Sequence, residues 1–156
     1  MARADGKTVT LLNPGTGTES ARFSTTMDYF VRTYSNAQTP PQYTLCDGRG
    51  KQVAELEMNR EYAARYASAP RKEFLTVKNA AGQDMEAFVI RPANFDPAKK
   101  YPLLMQQYNG PDSQEVLDAW KLDGLNWLAQ EGYVIATVDG RGTGNRDRSW
   151  ANAVYR

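Results

Sequence analysis

The chain has 156 residues, of which 41% are hydrophobic and 11% aromatic, so it carries enough apolar side chains for one folded domain or two small ones. Nineteen basic residues against eighteen acidic ones give a formal net charge of +1, with no basic run of the kind that binds nucleic acid or an anionic membrane. The longest apolar runs, such as YVIATV at 133–138, are too short to span a membrane, and a Cys/His metal site is excluded because Cys46 is the only cysteine and histidine is absent.

The first 58 residues contain short β-strand patterns separated by turn residues. The predicted strands are, in order, KTVTLL, ARFS, YFVRTYS, QYTLCD and QVAELE. A β-hairpin is predicted for the last two, because the glycines of Asp47–Gly50 supply the positive φ angles that a tight turn needs. A short helix is predicted in the segment that follows, residues 59–72, with Asn59 as its N-terminal cap and Pro70 as its end.

From residue 73 onward the pattern changes to that of an α/β domain. The segments EFLTVKN and DMEAFVIRP, joined by AAGQ, predict an antiparallel strand pair, and LLMQQYN predicts the next strand. A helix follows, capped at Asp123 and ended at Gly132. Its apolar face consists of Leu122, Leu125, Leu128 and Ala129. The next strand, YVIATVD, is almost entirely apolar, which is typical of a strand buried on both faces of a parallel sheet. Strand, helix and strand in this order predict a right-handed crossover unit.

The absence of histidine limits the catalytic chemistry that is available to the chain by itself. Most hydrolytic sites use an imidazole, because this group accepts and returns a proton near neutral pH. A serine nucleophile of the α/β-hydrolase type needs a G-x-S-x-G turn, and no serine of this chain has that context. The serines compared with this motif are Ser20, Ser24, Ser35, Ser68, Ser113 and Ser149.

Three further motifs favour structural interpretations over functional ones. The segment DGRGTGNR at 139–146 lacks the glycine spacing of a dinucleotide-binding loop, so it predicts a glycine-rich turn. Asp112, Asp118 and Asp123 lie close together in sequence near a helix start, where carboxylates are more often caps or solvated groups than an acid/base pair. Cys46 lies in a predicted strand, which favours a buried, unreactive thiol.

Two motifs in order carry a family resemblance. The segment KKYPLLMQQYNGPDSQ, followed about twenty residues later by GYVIATVDGRGTG, resembles the start of the catalytic domain of the prolyl oligopeptidase family, and most closely its dipeptidyl peptidase IV branch. The upstream segment from ARFSTT to QVAELE is similar to a late blade of the β-propeller in that family. The segment from EFLTVKN to KKYP is similar to the linker and first hairpin of its hydrolase domain, so the resemblance covers virtually the whole chain.

The resemblance implies an α/β fold with a β-rich N-terminal part. Residues 1–58 would form a portion of a β-propeller blade, and residues 59–72 a helical linker. Residues 73–156 would form the N-terminal part of an α/β-hydrolase (peptidase) domain, truncated before the segment that carries the family's catalytic triad. The glutamate pair that binds a substrate's amino terminus in that family also has no match here.

The resemblance also implies site residues. The tyrosine after the YPLL strand donates its hydroxyl to the oxyanion hole in that family, and the corresponding residue is Tyr108. A neutral phenol suits this role, because it stabilises negative charge only as the charge develops on a tetrahedral intermediate. Asp112 and Gln114 are expected near the substrate groove, whereas Asp139 and Arg141 are expected to stabilise the turn.

The implied function is that of a serine dipeptidyl aminopeptidase that releases X-Pro or X-Ala dipeptides from N-termini without a metal or organic cofactor. Its partner is a peptide substrate of the full-length parent; no nucleic acid and no membrane span are expected. This chain alone is expected to be inactive, because the Ser, Asp and His of the triad are absent from it. The alternatives are another hydrolase of the family, cleaving acylaminoacyl or oligopeptide substrates, and a non-catalytic β-rich interaction module. Export, for example to the periplasm, is suggested by the resemblance alone.

Self-association is expected from the surfaces that the resemblance leaves uncovered. A single blade would expose apolar side chains, and the hydrolase sheet would expose a strand edge beside LLMQQYN. The blade residues concerned are some of Phe23, Tyr29, Phe30 and Tyr34. We therefore expect the chain to form a homo-oligomer, or else to be mobile between its halves near residues 59–72.

Overall fold

The computed structural model describes residues 7, 9, 15–111 and 113–155. Their fold is mostly β-sheet with a few short helices, and the chain divides into two compact units. The first unit comprises Met1–Arg65 and Asp118–Lys121, and the second comprises Tyr66–Leu117 and Leu122–Arg156. No helix within the described ranges is long and apolar enough to cross a membrane.

The first unit contains a four-stranded antiparallel sheet in the order β1-β2-β3-β4, followed by a short helix. The elements are β1 (Thr18–Phe23), β2 (Tyr29–Ser35), β3 (Gln42–Asp47), β4 (Gln52–Glu57) and α1 (Arg60–Arg65). Four of the five strands predicted in this region are confirmed, although β1 begins three residues before the predicted segment ARFS. The predicted strand KTVTLL lies outside the described residues except for Lys7 and Val9.

The hairpin between β3 and β4 is confirmed, and its turn is closed by backbone bonds and one carboxylate. The Asp47 amide donates to the Lys51 carbonyl at 2.9 Å, and Gly50 adopts a φ of 90°. The Asp47 carboxylate accepts from the amides of Arg49 and Lys51 at 3.0 and 2.9 Å. A Cβ at Gly48 would lie 2.6 Å from the Met27 carbonyl oxygen, so only glycine fits there without a shift of the neighbouring turn.

The core of the first unit lies where β2 and β3 pair. Phe30 and Cys46 are directly opposite each other and are 3% and 1% exposed, so the prediction of a buried thiol is confirmed. Phe23 packs on Phe30 with ring centroids 4.7 Å apart. Of the apolar residues expected on an uncovered face, Phe30 is therefore buried, while Tyr29 is half exposed. Self-association stays a prediction.

Asn59 and Asp118 fix two chain segments within the first unit. The Asn59 carbonyl accepts from the Ala63 amide at 2.9 Å, which closes the first turn of α1, and its side-chain amide donates to the Pro41 carbonyl at 2.6 Å. The Asp118 carboxylate accepts from the Ala37 amide at 2.8 Å. Asp118 is thus a structural hydrogen-bond acceptor, in line with the interpretation of this acidic group as non-catalytic.

The second unit contains a mixed four-stranded sheet in the order β5-β6-β8-β7. The elements are β5 (Lys72–Lys78), β6 (Asp84–Ile90), β7 (Leu103–Met105), α2 (Gly124–Gln130), β8 (Val134–Val138), α3 (Arg148–Ala151) and a 3-10 turn (Asn152–Val154). The β5–β6 pair is antiparallel, as predicted, and β6 also runs antiparallel to β8. The strands β7 and β8 are parallel neighbours with α2 between them in sequence, which makes a β–α–β unit.

The predicted strand LLMQQYN is wrong in its length. Strand β7 ends at Met105, and the Gln106 amide makes one more bond, to the Ala136 carbonyl at 2.9 Å. Beyond it the carbonyls of Tyr108 and Gly110 accept from the Ser113 hydroxyl. Because these carbonyls bond within a loop, they are not available to a sheet ladder, and Tyr108 lies in the loop rather than at a strand tip.

Helix α2 is capped as the sequence predicts. The Asp123 carboxylate accepts from the Leu125 amide at 2.9 Å, and the Asn126 side chain accepts from the Asp123 amide at 3.0 Å, which makes a capping box. The helix ends before Gly132, which has a φ of 96°. Asn126 also donates to the Pro70 carbonyl at 2.8 Å, so the helix start is tied to the segment before β5.

The core of the second unit lies between α2 and one face of the sheet. It is formed by Phe88, Ile90, Val116, Ala129 and Ile135, with Leu125 and Leu128 packed against it. Ile135 and Thr137 of β8 are 0% and 2% exposed, whereas the alternate residues of β8 are half-buried. The expectation that β8 is buried on both faces is therefore correct for the α2 face and incomplete for the other.

We expect Ile135→Ala to lower the free energy of unfolding of the second unit by about 2 to 5 kcal/mol, because it leaves a cavity at a fully buried position. The matched control is Leu103→Ala, which removes an apolar side chain that is 62% exposed on the neighbouring strand and should change that free energy by less than about 0.5 kcal/mol. Urea unfolding of both variants measures the difference, and equal effects would contradict this description of the core.

Candidate functional site

The candidate site is formed by two loops of the second unit. The tyrosine loop, residues 106–117, follows β7, and the glycine loop, residues 139–147, follows β8. Because β7 and β8 are parallel, both loops leave the same edge of the sheet, the edge at which α/β folds place their ligand-binding groups. Tyr108 and Gln114 lie on the tyrosine loop; Asp112 lies outside the described residues.

Tyr108 is exposed, and its hydroxyl has no hydrogen-bond partner among the described residues. The residue is 67% exposed, and no hydrogen bond joins its hydroxyl to any described residue. Its ring lies against Gly110: a Cβ at that glycine would be 3.0 Å from ring atom Cε1 and 3.2 Å from the hydroxyl oxygen. The absence of a side chain at Gly110 therefore leaves room for the ring to fold back over the loop.

Asp139 joins the two loops through its buried carboxylate. Its two oxygens accept from the amides of Glu115 and Val116 at 3.1 and 3.0 Å, and the residue is 6% exposed. Two backbone amides that have no strand partner thus gain an acceptor, and each carboxylate oxygen gains a donor. Asp139 therefore has a structural role, as expected, but its carboxylate bonds the tyrosine loop instead of its own turn.

Asn109 makes a second connection, one residue after Tyr108. Its side-chain oxygen Oδ1 accepts from the Gly140 amide at 3.0 Å. A Cβ at Gly140 would lie 3.2 to 3.4 Å from the side-chain amide atoms of Asn109, so a larger residue at Gly140 would press on this contact. The signal for this pair in the sequence is weak, because the two residues are distant along the chain.

Gln114 contacts the glycine loop. Its Oε1 atom accepts from the side-chain amide of Asn145, a residue with a φ of 59°. Its Nε2 atom lies 3.5 Å from the Val116 carbonyl oxygen, at the outer limit of a hydrogen bond. The contact with Asn145 fixes the side chain beside the glycine loop. A role of Gln114 at a substrate groove stays a prediction.

The glycine loop is anchored on Trp150. Gly142 has a φ of 96° and donates its amide to the Trp150 carbonyl at 3.0 Å, and a Cβ at this glycine would lie 2.5 Å from a methyl of Val154. The Thr143 hydroxyl donates to the Gly140 carbonyl at 2.7 Å and accepts from the Trp150 indole at 3.3 Å. Trp150 is 7% exposed, so the loop is fixed to a buried aromatic ring.

The glycines thus serve turn geometry, as the sequence predicts. The helix that follows them, α3, has four residues, and its N-terminus is capped by the Asp147 carboxylate. No group of three His, Cys, Asp or Glu side chains that could hold a metal ion occurs in residues 15–111 and 113–155.

The pKa of the Asp147 carboxyl lies below its ordinary value. The main cause is the hydrogen bond from the Ser149 hydroxyl, followed by the bond from the Trp150 amide. A lowered pKa means that the folded state favours the carboxylate. The stabilisation is therefore present above the ordinary carboxyl pKa and is lost as the pH falls through the lowered one.

We expect Ser149→Ala to raise the pKa of Asp147 toward its ordinary value, because it removes the largest cause of the shift. An NMR titration of the side-chain carboxyl carbon measures this pKa. The matched control is Ser113→Ala, which removes a hydroxyl that bonds only to carbonyls of the tyrosine loop and should leave the Asp147 titration unchanged. An unaltered titration in Ser149→Ala would show that the cap does not depend on this hydroxyl.

Comparison with models of known protein families finds no match. Among known sequences, mouse prolyl endopeptidase FAP is 42% identical over 120 residues, which cover 74% of this chain and 16% of that protein. Dipeptidyl peptidase 4 of Trichophyton equinum is 33% identical over 149 residues, which cover 88% of this chain and 19% of that protein.

Among solved structures, the crystal structure of Porphyromonas gingivalis dipeptidyl peptidase 4 matches with a TM-score of 0.89 and 39% identity. The match covers 97% of this chain and 22% of that one. The chain thus spans about a fifth of the length of the proteins that it resembles.

Proposed function

We propose that this chain, which is related to the dipeptidyl peptidase IV branch of the prolyl oligopeptidase family as its motifs predict, forms part of a longer serine peptidase that releases N-terminal dipeptides. The named relatives are peptidases, and the similarity extends over nearly the whole of this chain. A preference for X-Pro or X-Ala dipeptides follows from the resemblance.

Within that protein, the first unit would be a portion of a β-propeller blade and the second the opening part of an α/β-hydrolase domain. The four-stranded antiparallel sheet β1–β4 suits a blade, and the mixed sheet with its β7–α2–β8 unit suits a hydrolase. The segment 59–72, which includes α1, would be the linker between them.

Tyr108 would donate its hydroxyl to the oxyanion of the tetrahedral intermediate. The observation that carries this role is an exposed phenol with no described partner, on a loop that is itself bonded at Asn109, Ser113, Glu115 and Val116. A donor held in place by a hydrogen-bonded loop needs less reorganisation as charge develops, and this favours electrostatic stabilisation of a transition state. Asp112 and Gln114 would lie beside the substrate.

The remaining catalytic groups would come from other parts of the longer protein. This chain contains no histidine and no G-x-S-x-G turn, so it supplies neither the general base nor the nucleophile of a serine peptidase. Its contribution would be limited to the oxyanion donor and to the loops that hold it. No metal or organic cofactor enters this proposal.

A second candidate is an endopeptidase that cleaves within longer peptides. The 42% identity with a protein named prolyl endopeptidase favours it. A Gly-Pro substrate with a free amino terminus, compared with the same substrate blocked at that terminus, separates the two activities. Hydrolysis of the free form alone supports the dipeptidyl peptidase, whereas hydrolysis of the blocked form supports the endopeptidase.

In the longer protein, Tyr108→Phe is expected to lower kcat by about 10²- to 10³-fold with little change in KM, because the lost donor acts mainly in the transition state. The phenyl ring keeps the packing against Gly110, so the change isolates the hydroxyl. Steady-state kinetics on a chromogenic Gly-Pro substrate provide the measurement. An unchanged kcat in this variant would contradict the proposed catalytic role of Tyr108.

The 156-residue chain by itself is expected to give no hydrolysis of Gly-Pro or Ala-Pro chromogenic substrates above buffer, because it lacks the histidine of a triad. The full-length protein serves as the positive control in the same assay. Turnover that co-purifies with the chain through two columns would contradict the proposal.

A further inference from the structure

We infer that Ser113 is a positioning residue that fixes the backbone of Tyr108, an inference that rests on the proposed role of Tyr108. Three polar groups of this serine make hydrogen bonds to the two loops. Its hydroxyl donates to the carbonyls of Tyr108 at 2.8 Å and of Gly110 at 2.7 Å, and its amide donates to the Gly110 carbonyl at 3.1 Å. Its own carbonyl accepts from the Gly144 amide at 2.8 Å.

The shared hydroxyl constrains the backbone from which the Tyr108 side chain projects. One hydroxyl carries one proton, so the carbonyls of Tyr108 and Gly110 converge on a single point. The orientation of the Tyr108 carbonyl fixes the peptide plane that follows it, and this plane helps to determine how the ring lies against Gly110. Ser113 therefore acts on the phenol through the backbone of Tyr108.

The bond to Gly144 connects this turn to the glycine loop. The glycine loop is anchored on the buried Trp150 through Gly142 and Thr143. Ser113 accepts from the same loop and donates to the Tyr108 turn, so it transmits the position of the anchored loop to the tyrosine.

The same contacts argue against a nucleophilic role for Ser113. The hydroxyl proton is directed at two carbonyls, neither of which can act as a general base. The chain has no imidazole to replace them. We therefore assign Ser113 the role of holding the backbone of Tyr108 in place.

The test on the 156-residue chain is the nuclear Overhauser effect between the Tyr108 ring protons and the Gly110 α protons. It is expected in the original chain because the ring lies against Gly110. Ser113→Ala should remove it, and Ser113→Thr, which keeps a hydroxyl, should retain it. Ser149→Ala, which removes a hydroxyl bonded to Asp147 instead, is the control and should also retain it. Retention of the effect in Ser113→Ala overturns the inference.

The second arm measures kinetics in the longer protein. A misplacement of about 1 Å costs roughly 10²-fold, so Ser113→Ala should lower kcat by about ten- to a hundred-fold with KM unchanged, and Ser113→Thr should restore much of it. In a Tyr108→Phe background Ser113→Ala should have almost no further effect, because both changes act through one donor. Equal losses in both backgrounds overturn the positioning role. If Tyr108→Phe itself is neutral, the proposed function fails, and the Overhauser measurement alone decides whether Ser113 holds the loop.

Discussion

The parallel pairing of β7 with β8 is the constraint on which the candidate site depends. The register sets Met105, the last residue of β7, opposite Ala136, and β8 continues to Val138. Because the strands run in the same direction, the tyrosine loop and the glycine loop leave from one edge of the sheet. An antiparallel pair would send them to opposite edges. The contacts made by Asp139, Asn109 and Ser113 all join these two loops, and they exist because the strands run in the same direction.

Among the described residues, the two loops are joined by hydrogen bonds, most of them to backbone groups. Asp139 accepts from two amides, and Asn109 accepts from one. The side-chain ion pairs found among the described residues lie elsewhere: Arg32–Glu19, Arg60–Glu55, Lys78–Asp84, Arg91–Glu73 and Lys99–Asp96. A bond to a backbone group fixes the path of the main chain directly, whereas exposed ion pairs contribute little and are screened by salt. The bonds from backbone amides to Asp139 and Asn109 therefore help to set the path of both loops.

Sequence reasoning succeeds where the determinants are local. The Asp47–Gly50 turn, the Asp123 cap and the Gly132 helix end each depend on a few adjacent residues, and all three are found in the structure. The end of β7 was not predictable in this way, because the loop that follows it is held by Asp139 and Gly140, which are distant along the chain and bond to the loop only after the chain has folded. At the candidate site, local sequence patterns predict only the turn residues. The catalytic role predicted for Tyr108 comes from the family resemblance, because an exposed tyrosine has no distinctive sequence pattern.

The assignment of Asp118–Lys121 to the first unit makes that unit discontinuous in sequence. The Asp118 carboxylate satisfies the Ala37 amide, its carbonyl accepts from the Thr18 hydroxyl, and the Trp120 ring lies 6.0 Å from that of Tyr62. Cutting the peptide bond between residues 65 and 66 would therefore give two polypeptides of which neither holds a complete first unit. The C-terminal piece would hold the complete second unit and also the short segment that completes the first, so the first unit could be restored only by reassembly of the two pieces, as in split-protein complementation.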